Sequence, residues 1–269
     1  MTDLAKQAQD ILSQIYIAVP YHRLVDEFFD LVMKMEANLE LGMHAEGLDR
    51  FSRADFQSMA RKFEERSIKT TMHAAFMDIN PGSLEPLVAK ASQSRVHQVL
   101  DLVEVFRPRT VVCHLGYIPV AHSEVEEQWM ANTIEFWSSL APKVGDMGTM
   151  IVLENVFELK PVQMKTVVEA VNSPHIRYCF DTGHTLAFSR TSWEEWLSEL
   201  QPYLAQIHVH DNAGQWDEHR AVGKGIFPFQ DMFPWLKEQG LKPIITLEAH
   251  SEQGVYESLP ALAALWPWE

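Results

Sequence analysis

Thr149-Met-Ile-Val-Leu-Glu154 is an apolar run that stops on an acid. An uninterrupted run of this length is how a strand reads when both of its faces are covered, as in a parallel sheet. An ionised carboxylate is rarely buried without a partner. Glu154 at the end of such a run therefore asks for a nearby cation. Short β-rich runs of the same kind occur on either side, at 15–19, 39–43, 69–73, 110–114, 177–181, 205–209 and 243–248, which with 149–154 makes eight.

Helical patterns separate them. Phe56, Met59, Ala60 and Phe63 fall at i, i+3, i+4 and i+7 after the second run, and Ser52 with Asp55 forms a capping box ahead of them. Met130, Ile134, Trp137 and Ala141 give an apolar stripe after the fourth run, and Met164, Val167, Val168 and Val171 give one after the fifth. Ser192 with Glu195 opens a segment carrying Trp193, Trp196, Leu197 and Leu200. Strand–helix alternation implies parallel strands joined by right-handed crossovers. Eight units predict a closed (β/α)8 TIM barrel, one α/β domain over residues 1–269. The rival, an open doubly wound sheet, lacks support because Val19-Pro-Tyr-His22 after the first run offers no glycine-rich phosphate loop.

The composition suits a folded enzyme-sized domain, with 46% hydrophobic residues in 269. The formal net charge is −15, from 37 acidic and 22 basic residues. Proteins that grip duplex DNA gain much of their affinity by neutralising phosphates, so this balance argues against DNA as a partner. The opening MTDLAKQAQD has no basic-then-apolar pattern, so no signal peptide is expected, and no apolar run is long enough for a membrane span. There are two cysteines; strand parity turns Cys113 outward and Cys179 inward, so no bridge is expected and a cytoplasmic setting follows.

Residues able to bind metal stand at the ends of six runs. They are His73, His114, Glu154, Asp181 (with His184 one turn later), His208 and Glu248. In a parallel barrel all carboxyl ends share one mouth, so these separated positions become one constellation. Imidazoles mixed with carboxylates suit zinc or manganese, with iron a third choice. A lone histidine at a strand end is more often a core or surface residue than a ligand; three carboxylates closing apolar runs at one rim are less ordinary. His22, His97, His122 and His175 fall in predicted loops or helices and get the structural reading. His44 lines the mouth, His210 is either a further ligand or a substrate contact, and His250 stands behind the ligands. Trp216, beside Asp217 in a loop, is placed as a wall of the pocket.

With these residues assembled, the chain resembles the xylose isomerase-like barrel superfamily, which holds sugar isomerases and epimerases and the endonuclease IV group (AP endonuclease family 2). The resemblance is tightest in His208-Val-His-Asp211 and Asp217-Glu-His219-Arg-Ala-Val-Gly223-Lys-Gly225-Ile226. This looks like the endonuclease IV pattern H-x-x-D followed by D-x-H-x-x-hydrophobic-G-x-G-x-I; Glu154-Asn155 and Asp181-x-x-His184 add weaker matches. Carried over, the resemblance implies one to three divalent ions. His73, His114 and Glu154 would form one site; Glu154, Asp181, His208 and Glu248 a second; His184, Asp217 and His219 a third. Two departures stand out. The loop after the second run offers only Arg50 and Arg53 among acids, and Lys224 occupies a position where that group commonly has an acid.

The leading expectation is a metal-dependent isomerase or epimerase of a sugar or sugar phosphate. Glu154 and Glu248 would exchange the proton, and His184, His210, Lys224 and Trp216 would meet the substrate. The alternative is a multi-metal phosphoester hydrolase of endonuclease IV type, on a small phosphodiester rather than duplex DNA. A sensor that only binds metal or metabolite is the third class. Aromatics on helix faces point toward a homo-oligomer.

Overall fold

The computed structural model describes residues 10–268. Eight parallel strands close in sequence order into a barrel. They are β1 (Tyr16–Pro20), β2 (Asn38–Gly42), β3 (Thr70–His73), β4 (Val111–His114), β5 (Ile151–Glu154), β6 (Ile176–Asp181), β7 (Leu204–Val209) and β8 (Ile244–Leu247). The closed barrel is the expected one, with small boundary changes. β1 and β2 are each displaced by one residue, and β8 stops at Leu247, leaving Glu248 one residue beyond it with its N–H bonded to the Val209 carbonyl at 3.2 Å.

The helices form where apolar spacing and caps allow. Helix Arg53–Glu65 begins with the Ser52/Asp55 capping box and buries Phe56, Met59 and Phe63. Helix Trp193–Leu200 is capped by Ser192 and buries Trp193, Trp196, Leu197 and Leu200. The stripe expected on helix Glu126–Asp146 is rotated. Trp129, Thr133, Phe136, Trp137, Leu140, Ala141 and Val144 face inward, whereas Met130 and Ile134 are only half-buried. The indole of Trp129 offers more apolar area than Met130 and has a partner for its N–H in Asn80 Oδ1 at 3.1 Å, so it takes the inward position. Val171, the last residue of its helix, is half-buried and packs against the edge of the core.

Side chains alternate across each strand. The outward set packs against the helices as one large core that includes Cys113, and Val112, Val152 and Cys179 form a separate small cluster inside the barrel. Both cysteines are free and buried. Alternation then brings the residue two positions beyond each inner side chain to the mouth. Val112 leads to His114, Val152 to Glu154, Cys179 to Asp181, Gln206 to His208, Thr71 to His73 and Thr246 to Glu248. On β1 and β2 the same positions are Pro20 and Gly42, neither of which can bind a cation. The ring of polar residues is thus open on one side. No helix among the described residues is long and apolar enough to cross a membrane.

Candidate metal centre

Glu154 is fully buried at the middle of the mouth. One oxygen, Oε2, lies 3.1 Å from His73 Nε2 and 3.2 Å from His114 Nε2. The other, Oε1, lies 3.1 Å from His208 Nδ1 and 3.5 Å from His184 Nδ1. Burial alone would raise this carboxyl, but the His208, His114 and His184 imidazoles outweigh it and hold Glu154 well below the usual carboxylate range. Glu248 reaches His208 Nδ1 at 3.0 Å; it too is held low, burial being overcome by His208 and His219. Asp181 Oδ2 is 3.9 Å from the same nitrogen.

The donor atoms of Glu154, Asp181, His208 and Glu248 lie within 4.8 Å of one another, as do those of His73, Glu154 and His208. A second focus is Asp217, whose Oδ2 is 2.9 Å from His219 Nε2 and 3.4 Å from His184 Nε2. Burial pushes the His219 imidazole down, yet the Asp217, Glu248 and Asp181 carboxylates win and take it up to about 9. Two like charges 4 Å apart repel by about 4 kcal/mol at an effective dielectric of about 20. Four carboxylates in this space need countercharge, and divalent cations fit. Glu248 Oε2, Asp217 Oδ1 and His210 Nδ1 are buried atoms without a hydrogen-bond partner, and nitrogen with oxygen donors is the set that zinc and manganese accept.

All nine residues expected as ligands come together here, though His114 reaches the carboxylates only at Glu154, its ring packing edge-on against His73. The substrate candidates divide. His184 and His210 are buried within the cluster, whereas Lys224 is exposed in a turn and Trp216 is 73% exposed. His44 lines the mouth beside Gly42, and His250 stacks on His219 with ring centroids 3.5 Å apart. His122, given the structural reading, accepts the Ile118 N–H at 2.9 Å and meets Asn80 Nδ2 at 3.2 Å.

Three residues have roles that the sequence reading does not assign, although Asp211 stands in the quoted motif. Glu40, buried inside the barrel on β2, has Oε1 2.9 Å from His208 Nε2, and its Oε2 accepts from Thr71 Oγ1 at 2.9 Å and from Gln206 Nε2. It backs the histidine from beneath. Asp211 is the second. Its Oδ1 accepts the N–H groups of Asn212 and Phe227 (both 3.0 Å), and its Oδ2 those of Gly223 (3.1 Å) and Gly225 (2.9 Å). The Asp and Gly-x-Gly of the motif are therefore one device that folds the Asp217 loop. A Cβ on Gly225 would meet the Asn212 carbonyl at 2.2 Å. The third, Glu158, is buried on the segment after β5; burial outweighs its bond from the Val156 N–H and lifts its carboxyl to about 7.

A cavity of about 410 Å³ enters where the polar ring is open, between Pro20 and Gly42 on one side and Glu248 and His73 on the other. Its outer wall is apolar, with Phe28, Leu31, Val255 and Tyr256. This volume is of small-molecule size.

Fold and site together define a (β/α)8 barrel with a carboxylate–imidazole centre at its carboxyl end. The sequence model of the xylose isomerase-like TIM barrel family matches residues 29–265, and the chain belongs to that family. An uncharacterized protein of Methanocaldococcus jannaschii is 27% identical over 210 residues, 76% of this chain and 72% of that one. A probable endonuclease 4 of Mesomycoplasma hyopneumoniae is 24% identical over 182 residues, 60% of this chain and 62% of its own length. Among solved structures, a D-tagatose 3-epimerase-like protein superposes with a TM-score of 0.79 at 24% identity, covering 93% of this chain and 97% of the other. A Thermus thermophilus protein soaked with zinc chloride gives 0.77 at 25% identity, covering 94% and 97%.

Proposed function

We propose that this chain is a divalent-metal-dependent hydrolase of small phosphoesters. The observation that carries the reading is Glu154. Its two oxygens are divided between two pairs of imidazoles, which suits a carboxylate bridging two cations and leaves no free oxygen to accept a proton from carbon. The Asp217 focus adds donors beyond the four ligands that a single-cation isomerase needs. Bound divalent ions would neutralise phosphoryl oxygens and acidify a water. Glu248, at the mouth with Oε2 3.0 Å from His208 Nδ1, is the carboxylate assigned to hold that water's proton. The cavity admits the rest of the ester, and its size together with the net charge of −15 favours a small sugar-like or phosphorylated substrate over duplex DNA.

A sugar or sugar-phosphate isomerase or epimerase is the second reading. It is favoured by the gathering of Glu154, Asp181, His208 and Glu248 into a four-residue site that would serve alone, with Glu154 and Glu248 exchanging the proton. Metal content and turnover separate the two. Hydrolysis predicts two or three ions per chain and release of nitrophenol from bis(p-nitrophenyl) phosphate, lost in Glu248→Gln. One ion per chain with solvent deuterium entering a ketose or its phosphate would replace it with the second reading. A duplex carrying a tetrahydrofuran abasic site should stay uncut.

A further inference from the structure

β1 pairs with β2 along its whole length, from Tyr16↔Asn38 to Pro20↔Gly42, but with β8 only at Tyr16↔Thr246 and Ile17↔Leu247. Beyond Ile17 the two strands share no further pair. The cavity of about 410 Å³ enters there, with Val19 and Pro20 on one side and Glu248 and Ala249 on the other. Glu248 is a member of the carboxylate–imidazole centre, so the cavity begins beside it.

From the mouth the cavity leaves the barrel interior. Pro20, Gly42 and Glu40 point inward, so Ile17, Val19 and Leu39 point outward, and they belong to the core that packs against the helices. Leu31, Val32 and Met35 reach the same space from helix Phe29–Met35. The cavity therefore runs between the strand wall and the helix layer, down to Ala37. From Ala37 to Gly42 the chain covers about 17 Å, at about 3.3 Å per extended residue. The turn ahead of that helix, Leu24–Phe28, is wound as a π-helix, a widened form that is rare and often found at functional sites.

The six side chains along its length are hydrocarbon but for one thioether. The polar residues of the lining are engaged elsewhere or stay at the rim. Arg23 is paired with Glu27 at 2.7 Å, Ser251 Oγ accepts the Gly254 N–H at 3.0 Å, and Glu40 is turned to His208 and Thr71. His44 and His250 remain at the entrance. A polyol pushed into this space would bury hydroxyls without side-chain partners, which costs more than it returns.

We propose that this cavity is the slot for an aliphatic chain of the substrate, so that the chain acts on phosphoesters of hydrophobic alcohols. The inference rests on the hydrolase reading and names its substrate class. The phosphoryl group sits at the centre beside Glu248, and the alkyl group passes between β1 and β8 to lie along helix Phe29–Met35.

Methyl, butyl, octyl and glyceryl p-nitrophenyl phosphates share one leaving group and test this in zinc-loaded protein. The kcat/KM should rise about fourfold per added methylene until the slot is full, and the glyceryl ester should do no better than the methyl ester. Leu31→Trp, which fills the slot from its helix, should cut the octyl-to-methyl ratio about tenfold or more, and Val255→Trp should do so from helix Glu252–Leu265. The ratio is taken within one protein, so partial loss of folded enzyme cancels. Equal turnover of methyl, glyceryl and octyl esters by the wild-type protein would overturn the proposal, as would a chain preference that survives both variants. If no ester is cleaved, titration with octylphosphonate and methylphosphonate decides. Tighter binding of the octyl compound would keep the slot and sink the hydrolase reading; equal binding would sink both.

Discussion

Glu154 and Asp217 are the centres of two clusters that share His184, and the chain builds them in different ways. Glu154 is the last residue of β5, and His73, His114 and His208 come from β3, β4 and β7, held in register by the barrel. Asp217 and His219 lie on a loop, closed by a backbone bridge between Asp211 and Arg220 and folded by the Asp211 carboxylate, which gathers four backbone N–H groups. His219 even takes a left-handed backbone, at φ 48°. The strand-borne cluster is held by the sheet; the loop-borne one is held by the Asp211 carboxylate, one backbone bridge and whatever cation it binds. The reaction is therefore expected at the first and support from the second.

Substitutions at each centre should expose that difference. The largest effect belongs to Glu154→Gln, which keeps the shape and removes the charge shared by four imidazoles. It should release the ions around β3–β7 and lower turnover of an active phosphoester by on the order of 10³-fold, while the Asp217 site still takes up zinc. Equal retention of all ions would break the distinction between clusters.

Glu158, four residues further along, sharpens the comparison because it is equally buried and has no imidazole clasp. Its carboxyl is raised to about 7 in the fold. A raised acid is at no disadvantage below the unfolded value near 4.5, and it loses stability as pH climbs through the folded value. Metal-free Glu158→Gln should thus match the parent at pH 4.5 and exceed it at pH 8, by about 3 kcal/mol at most. Chemical denaturation at the two pH values reads this, and a gap that does not widen with pH would refute it.

Asp211→Asn comes next. It removes an acceptor of two loop N–H groups, so the Asp217 site should weaken about 10–100-fold for zinc, with the Glu154 ions unaffected. Isothermal titration of the apoprotein separates the two classes, and uniform weakening would mean that the clusters are not independent. The smallest effect is expected from Glu40→Gln beneath His208. There the metal affinity of the Glu154 cluster should fall about tenfold with unfolding unchanged in metal-free protein; no change in affinity would leave Glu40 a packing residue.

The same division explains what the sequence alone discloses. Strand-end ligands announce themselves because an acid or histidine interrupts an apolar run, as Glu154 and Asp181 do, and the barrel's parallel order makes such interruptions converge. The argument applies equally to Glu40, an acid between Leu39 and Leu41, but Glu40 lies in the middle of β2 and not at its end, where the search for ligands is directed. Asp217 and His219 are legible only through the spacing of their motif, since loops carry no periodicity. Neither pattern nor motif shows that Trp216 and Lys224 point into solvent, because a loop's direction depends on contacts such as those of Asp211, which only the fold assembles. The rotated stripe on helix Glu126–Asp146 has a similar source: Trp129 and Met130 are both apolar, and only the partner at Asn80 decides which is buried.

The most direct test is anomalous diffraction from crystals equilibrated with zinc. The account predicts strong peaks on both sides of the Glu154 carboxylate and one between His184, Asp217 and His219. Peaks confined to surface histidines, or a single ion touching Glu154 through only one oxygen, would contradict it.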